Sequence, residues 1–229
     1  MKYKSMVCIL AFVISDLVGC HSTPATVDTP THPSPANTMK TPEEAAQKAL
    51  MSLPQLVQSG NYRGMGFASV DEARAVKLGA AVPRRIVSYD ELLKYQPSVS
   101  LAQLFTSDEE LVYPFQIGDT VKSTTTVSKK AGSWHIGTVG DAYLAKIISA
   151  VPDKQTKLQI ISIPGLSLDF AGVHEGEDLE LVPAQDYPDL DLVKGRSVRA
   201  AELLPRLSTY AKAFDKQYGE QLRNRRLVR

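Results

Sequence analysis

Cysteine, tryptophan and histidine are scarce in this chain. Its 229 residues include two cysteines, one tryptophan and four histidines. Two cysteines permit at most one disulfide, which excludes a disulfide-rich scaffold, and a Cys-x-x-Cys pair is missing as well. The patterns G-x-S-x-G and H-E-x-x-H, which are typical of serine hydrolases and zinc proteases, do not occur either. The chain therefore carries no recognisable nucleophile or metal motif, and we predict no cofactor.

An excess of charge of either sign is also missing. Lysine and arginine together number 26 and the acidic residues 25, which gives a formal net charge of +1 at pH 7. Such a chain has no general electrostatic attraction to nucleic acid, so we predict no nucleic-acid partner. No internal repeat at a fixed period is present, and residues 41–229 fit the usual size of one domain.

The first 20 residues have the regions of an export signal in the expected order. Lys2 and Lys4 precede an apolar run, residues 6–14, that is shorter than the roughly 20 residues of a membrane-spanning helix. Leu17-Val18-Gly19-Cys20 follows. This pattern resembles the lipobox of bacterial lipoproteins, in which a small residue precedes the lipid-modified cysteine. An ordinary secretory signal cleaved elsewhere is the alternative, although the A-x-A pattern of such a site is missing near residue 20.

The lipobox resemblance implies a signal peptide over residues 1–19 and a mature chain that begins at Cys20 with a diacylglyceryl group and usually a further acyl chain such as palmitate. Two or three chains make an anchor effectively permanent. His21 stands where an Asp often favours inner-membrane retention in that family, so for a bacterium with two membranes we expect the periplasmic face of the outer membrane rather than the inner membrane. Cys8 leaves with the signal, and the lipid occupies Cys20, so no disulfide or free thiol remains.

Residues 20–40 are predicted to form a disordered tether behind the lipidated cysteine. The stretch from residue 21, HSTPATVDTPTHPSPANTMK, contains four prolines, many Ser and Thr, and almost no bulky apolar groups. Such a composition cannot bury enough surface to offset the entropy of ordering. We therefore divide the chain into a signal peptide, a tether and a single domain over residues 41–229.

The domain is predicted to be α+β, with an antiparallel β-meander sheet packed against N-terminal and C-terminal helices. Thr41, Pro42 and Glu44 form a capping box that opens the first helix, and Ser88 with Glu91 forms another. A short helix is expected at 69–78, and a last helix is expected from about 198, interrupted or bent at Pro205. The predicted strands are 82–87, 111–117, 120–129, 133–136, 158–163, 166–171 and 179–182. Locally paired strands with helices before and after them indicate α+β.

The passage at residues 113–140, YPFQIGDTVKSTTTVSKKAGSWHIGTVG, holds the three strands of the predicted meander. It is similar to the curved meanders of small exported cystatin-like and NTF2-like domains, where a strand with Trp follows a Lys-Gly type turn. The resemblance implies a fold that binds a peptide, a small apolar ligand or another protein. No site residue is transferred from it, because fold-level similarity is a weak argument for function.

Three segments contain side chains that metals or cofactors use. His174, Glu175, Glu177 and Asp178 could ligate a cation, but their position between two strand patterns favours a solvated hairpin turn. The acidic group of residues 186–191 lacks the glycine and the terminal Glu of an EF-hand loop, which favours a surface loop. The segment from Gly64 to Ser69 resembles part of a dinucleotide fingerprint, yet no strand precedes it. We predict no metal site.

Two aromatic or imidazole side chains in the meander are further candidates. Trp134 is a possible wall of a ligand pocket, although a lone Trp beside a turn is more often a core anchor. We expect it to pack beside Phe115 or Val127. His135 points to the opposite face of the same strand, as a half-exposed sheet residue rather than a general base.

Four arginines end the chain without an acidic residue after Glu220, namely Arg223, Arg225, Arg226 and Arg229. They are either a fraying helix end, where cations suit the helix dipole, or a basic patch for anionic lipids or polymers. Two function classes remain for the whole chain. One is a lipid-anchored, non-enzymatic envelope protein that binds a protein partner, peptidoglycan or an apolar ligand. The other is an envelope hydrolase whose site is assembled from scattered residues.

Overall fold

Nine strands form one mixed sheet in the computed structural model, which describes residues 39–57, 60–151, 157–175 and 178–226. The strands are β1 Lys77–Leu78, β2 Val82–Ile86, β3 Glu110–Ile117, β4 Thr120–Lys130, β5 Ser133–Val139, β6 Leu158–Ile163, β7 Leu168–Glu175, β8 Asp178–Pro183 and β9 Val198–Arg199. Their order across the sheet is β5-β4-β3-β2-β6-β7-β8-β9, and β1 pairs with β3 beside β2. The predicted signal peptide, Cys20 and the tether up to residue 38 lie outside the described residues.

Five α-helices of the described residues surround this sheet. They are α1 Pro42–Val57, α2 Val70–Ala75, α3 Tyr89–Leu93, α4 Ala142–Ser149 and α5 Ala200–Arg226, with short 3-10 helices at Leu101–Leu104, Pro164–Leu166 and Pro188–Leu190. Both predicted capping boxes begin a helix. The backbone N–H of Glu44 donates to Thr41 Oγ1 (3.1 Å), and that of Glu91 donates to Ser88 Oγ (3.4 Å).

The α+β class is confirmed, and the predicted meander is present as β3, β4 and β5. The sheet is not a meander alone, however. Strand β2 lies between β3 and β6, and it runs parallel to β6 with Arg84 opposite Ile160. Local sequence patterns predict hairpins because paired strands are neighbours in the chain, and they carry no information about a pairing over some 75 residues.

Several element bounds also differ from the prediction. The helix expected at 69–78 ends at Ala75, and Lys77–Leu78 joins the sheet instead. Each of the two long helices, α1 and α5, continues past an internal proline, Pro54 and Pro205 respectively. The apolar faces of both helices stay buried past these prolines, and tertiary packing of such a face outweighs the loss of one helical hydrogen bond.

The two faces of the sheet carry separate cores. On one face, α4 covers apolar side chains of the central strands, including Val82, Val112 and Ile160. On the other face, α3 and α5 cover β6, β7 and β8, while α1 and α2 cover β3 and β4. We call these the α4 face and the α5 face. Because side chains alternate along a strand, neighbouring residues belong to different cores.

Met39, two residues before the predicted domain boundary at Thr41, already contacts the sheet. The backbone N–H of Trp134 donates to Met39 O (2.9 Å), so Met39 adds one bridge to the edge of β5. The side chain of Met39 packs on the cluster that contains Trp134 and Val127. The segment that precedes α1 therefore enters the domain at the outer edge of the meander.

Candidate functional site

A cavity of about 470 Å³ opens on the α4 face beside the connection from β1 to β2. We call it the β1–β2 cavity. Its lining residues are Ala80, Ala81, Val82, Pro114, Gln116, Asp119, Thr120, Val121, Ile148, Ser149, Val151, Lys157 and Leu158. Eight of these thirteen are apolar. Binding sites for small ligands measure about 300–1,000 Å³ and combine apolar walls with a few polar groups, so this cavity has the size and the chemistry of one.

The irregular path of the chain around β3 creates this space. Gly79 donates its N–H to Pro114 O (2.8 Å), and the chain then turns away from β3 through two alanines before β2 begins. A Cβ on Gly79 would lie 2.9 Å from Oε1 of Gln116. Glycine at this position therefore leaves room for the amide of Gln116 against the backbone, and a larger residue would displace that amide.

A register shift in the β3–β4 pair sets the opposite wall. Phe115 pairs with Ser123, but Gln116 pairs with Val121, so Lys122 is an extra residue on β4. A bulge of this kind bends a strand and re-aims its side chains. Here Val121 and Gln116 face the cavity together, below the last turn of α4.

A second polar feature of the α4 face is a cluster around Arg84, which lies at the centre of the sheet. Its Nε donates to Ser162 Oγ (2.8 Å), and its terminal nitrogens lie 3.3 Å from Glu110 Oε2 and 3.6 Å from Asp169 Oδ1. The hydroxyl of Ser162 donates to the carboxylate of Asp169. The cluster therefore joins four adjacent strands, β3, β2, β6 and β7, through one guanidinium group.

The geometry of the Arg84 cluster is that of a structural network. Ser162 is only 1% exposed, so a substrate has no access to its hydroxyl group. The carboxylates of Glu110 and Asp169 are both occupied by Arg84. Partly buried polar groups that hold one another in this way stabilise one arrangement of the strands.

A tyrosine pair adjoins this cluster at the start of α4. The hydroxyl oxygens of Tyr143 and Tyr187 lie 3.1 Å apart. Burial, followed by the hydrogen bond with Tyr187, raises the pKa of Tyr143 well above its usual range. Tyr143 therefore stays a neutral phenol and cannot serve as a base at physiological pH.

The sequence candidates in the meander take different places. Trp134 is 9% exposed and packs with Val127, one of its two expected neighbours, in a cluster with Ala45, Ala46 and Tyr113. It does not line the β1–β2 cavity. His135 is half-buried and pairs with Ser128, so it points to the α4 face while Trp134 points to the α1 side.

Of the possible metal ligands, Glu177 and the side chains of Glu175 and Asp178 lie outside the described residues. His174 is exposed, and the amide nitrogen of Gln159 donates to its Nε2 (3.0 Å). In the acidic loop, Asp186 Oδ1 accepts the backbone N–H of Lys194 (2.7 Å). Within the described ranges, no three His, Cys, Asp or Glu side chains form a group that could hold a metal ion.

The remaining sequence candidates are a glycine segment and the C-terminal arginines. A Cβ on Gly66 would lie 2.2 Å from Lys122 O, so this glycine lets the loop pack directly on β4. That contact explains the glycine without a phosphate ligand. Arg223, Arg225 and Arg226 lie in the last turns of α5, and Arg229 lies outside the described residues, as do the side chains of all residues after Glu220.

Comparisons with known proteins give no relative for this chain: it matches no family model, no curated protein and no solved structure. The similarity to bacterial lipoproteins and to cystatin-like or NTF2-like domains therefore stays a prediction. No helix among the described residues combines the length and the apolar character needed to cross a membrane.

The β1–β2 cavity has only a weak signal in the sequence. Ala80, Ala81 and Gln116 are unremarkable in any local pattern, and they meet only because β1 and β2 both pair with β3. The one available signal was the Gly79-Ala80-Ala81 run between two strand-like segments, which is typical of a break in a strand.

Proposed function

We propose that the protein is a lipid-anchored, non-enzymatic protein of the bacterial cell envelope that binds an apolar ligand in the β1–β2 cavity. The observation that carries the proposal is the lining of this cavity, in which small and branched apolar side chains from β2, β4 and α4 enclose about 470 Å³. Burial of apolar ligand surface in this cavity favours binding by about 25 cal/mol per Å² removed from water.

The address rests on the sequence at the N-terminus. The Leu17-Val18-Gly19-Cys20 pattern, the apolar run before it and the proline-rich stretch after it are the three parts of a lipoprotein leader and tether. We place the mature protein at the periplasmic face of the outer membrane, where an envelope protein partner could exchange the ligand with it. The bridge between Met39 and Trp134 means that the chain from Cys20 enters the domain at the edge of β5.

Binding is tested with the mature chain carrying Cys20→Ser and the neutral fluorophore N-phenyl-1-naphthylamine. We expect saturable binding, and we expect Ala81→Trp to weaken it at least tenfold because the indole occupies the exposed mouth of the cavity. The matched control is Ala201→Phe, an exposed alanine of α5 on the other face of the sheet. A wild type without saturable binding, or an Ala81→Trp variant that binds as tightly as wild type, contradicts the proposal.

The anchor is tested separately in cells. Radiolabelled palmitate should label the wild-type protein, and Cys20→Ser should abolish the label and move the protein from the membrane fraction to the soluble fraction. The domain should keep its melting temperature, because Cys20 and Met39 are joined only by the tether. A Cys20→Ser protein that still pellets with membranes contradicts the anchor without affecting the test of the cavity.

A further inference from the structure

A larger groove, of about 670 Å³, lies on the α5 face, opposite the β1–β2 cavity. One wall is the segment between α3 and β3, which contributes Tyr95, Leu101 and Phe105. The other wall is the start of α5, with Leu204. The floor carries Arg85, Gln159 and His174. We call this the Arg85 groove.

The polar floor follows from where the core on this face ends. Val87, Ile161 and Phe170 point into the core beneath α3 and α5. Every second residue of a strand shares a face. Two residues further along the same strands, this face therefore carries Arg85, Gln159 and Gly172. His174 follows after one more step on β7. The groove therefore has apolar walls above a floor that can donate hydrogen bonds.

Charge distinguishes this groove from the rest of the sheet. Arg84 is neutralised by Glu110 and Asp169 on the α4 face. Its neighbour Arg85 points to the opposite face and is exposed. Among the described residues it has no hydrogen bond or ion pair. No carboxylate is among the described residues that line the groove. Among the described residues that line it, the fixed charge of this groove is thus the guanidinium group of Arg85.

We propose that the Arg85 groove binds a small organic carboxylate with an apolar body. The planar guanidinium of Arg85 matches the geometry of a carboxylate through two parallel hydrogen bonds. The apolar body then packs against Tyr95, Leu101 and Phe105, which are the aromatic and aliphatic side chains of the wall. The imidazole of His174, already fixed by Gln159, lies on the same floor as a second polar contact. This site is independent of the β1–β2 cavity, because the sheet separates the two.

The test is isothermal titration calorimetry of the mature chain carrying Cys20→Ser with octanoate, octan-1-ol and octylammonium. These three probes share one apolar body and differ in the charge of the head group. We expect octanoate to bind at least tenfold more tightly than either other probe. Arg85→Gln should weaken octanoate binding by about tenfold, the loss expected for one charge-assisted pair, and should leave octan-1-ol binding unchanged.

Two matched variants locate the binding. Ala201 lines the Arg85 groove, so Ala201→Phe should abolish octanoate binding. Ala81 lines the β1–β2 cavity, so Ala81→Trp should leave octanoate binding unchanged. Melting temperatures of all variants verify that each one is folded. Equal affinities for octanoate and octan-1-ol overturn the proposal, and so does an Arg85→Gln variant with wild-type affinity for octanoate. Loss of octanoate binding in Ala81→Trp alone assigns the carboxylate to the β1–β2 cavity and equally overturns it.

Discussion

Arg84 and Ser162 are 78 residues apart in the chain, yet Nε of one lies 2.8 Å from Oγ of the other. This contact spans the parallel pair β2–β6. That pair joins strands β1–β5 to strands β6–β9 in a single sheet. The guanidinium also reaches Glu110 on one side and Asp169 on the other. The register of the central strands is thus fixed by polar contacts as well as by apolar packing.

The Arg84 cluster predicts an unequal effect of two adjacent substitutions. Arg84→Met should destabilise the domain by about 2 kcal/mol, less than the ~3–5 kcal/mol of a fully buried pair, because Glu110 and Asp169 keep some contact with water. Arg85→Met, on the exposed opposite face, should change stability by no more than about 0.5 kcal/mol. Urea denaturation of both variants without ligand measures the difference. Equal effects at the two positions would contradict a structural role for the cluster.

The pair of Glu72 and Lys122 predicts a pH-dependent contribution. The hydrogen bond with Lys122 (2.8 Å), followed by the backbone N–H of Ala68, lowers the pKa of Glu72 below its usual 4.5. A carboxylate whose pKa is lower in the folded state stabilises the protein above its unfolded pKa, and this stability is lost as the pH falls through the folded value.

Glu72→Gln should therefore lower stability at pH 7, by about 0.5 kcal/mol, since both side chains of the pair keep some contact with solvent. The difference from wild type should vanish below the folded pKa of Glu72. Thermal melting at a series of pH values from 7 downwards checks this. The control is Glu109→Gln. Glu109 pairs with Lys129, which lies on β4 like Lys122, and this ion pair is more exposed than that of Glu72 and Lys122. A gap between Glu72→Gln and wild type that persists in acid would rule out the ionised pair as its cause.

Trp134 tests whether the single tryptophan belongs to the core or to a site. Its ring is buried against Val127 and the start of α1, so Trp134→Ala should cost about 3–5 kcal/mol, as for other large buried aromatic side chains. Trp134→Phe should recover much of that loss. Binding of N-phenyl-1-naphthylamine and of octanoate should be unchanged in both variants at temperatures where they are folded. Unchanged melting with lost binding would make Trp134 a ligand contact instead.

Local signals were sufficient to predict most of the elements and the α+β class. The capping boxes at Thr41 and Ser88, the alternation in β3 and the Thr- and Val-rich β4 each depend on residues within a few positions of one another. These are the features that hydrophobic periodicity and turn residues encode. The continuation of α1 and α5 past Pro54 and Pro205 depends on packing of a buried helix face, for which intrinsic propensity is a weak guide.

The candidate sites could not be predicted in this way, because each is assembled by distant pairing. The β1–β2 cavity depends on two short strands sharing one side of β3, and the Arg85 groove depends on β2 lying beside β6. Nothing in the Arg84-Arg85 dipeptide indicates which arginine will be neutralised. That difference arises only when Glu110 and Asp169 are brought to one face of the sheet and a groove without carboxylates is left on the other.

The C-terminal arginines give the last prediction, and it separates a helix end from a basic patch. Arg223, Arg225 and Arg226 lie in the final turns of α5, where cations are favourable against the negative end of the helix dipole whatever else they do. If they also form a patch, the mature chain carrying Cys20→Ser should bind anionic vesicles at low salt, with up to about 1 kcal/mol from each arginine near the surface. The same mature chain with Gln at all four arginine positions should lose this binding while keeping its melting temperature. Vesicles of neutral lipid should bind neither protein.

The Gln variant preserves chain length, so a loss of binding cannot be attributed to a shortened helix. Equal binding by the two proteins would show that the arginines serve the helix end alone.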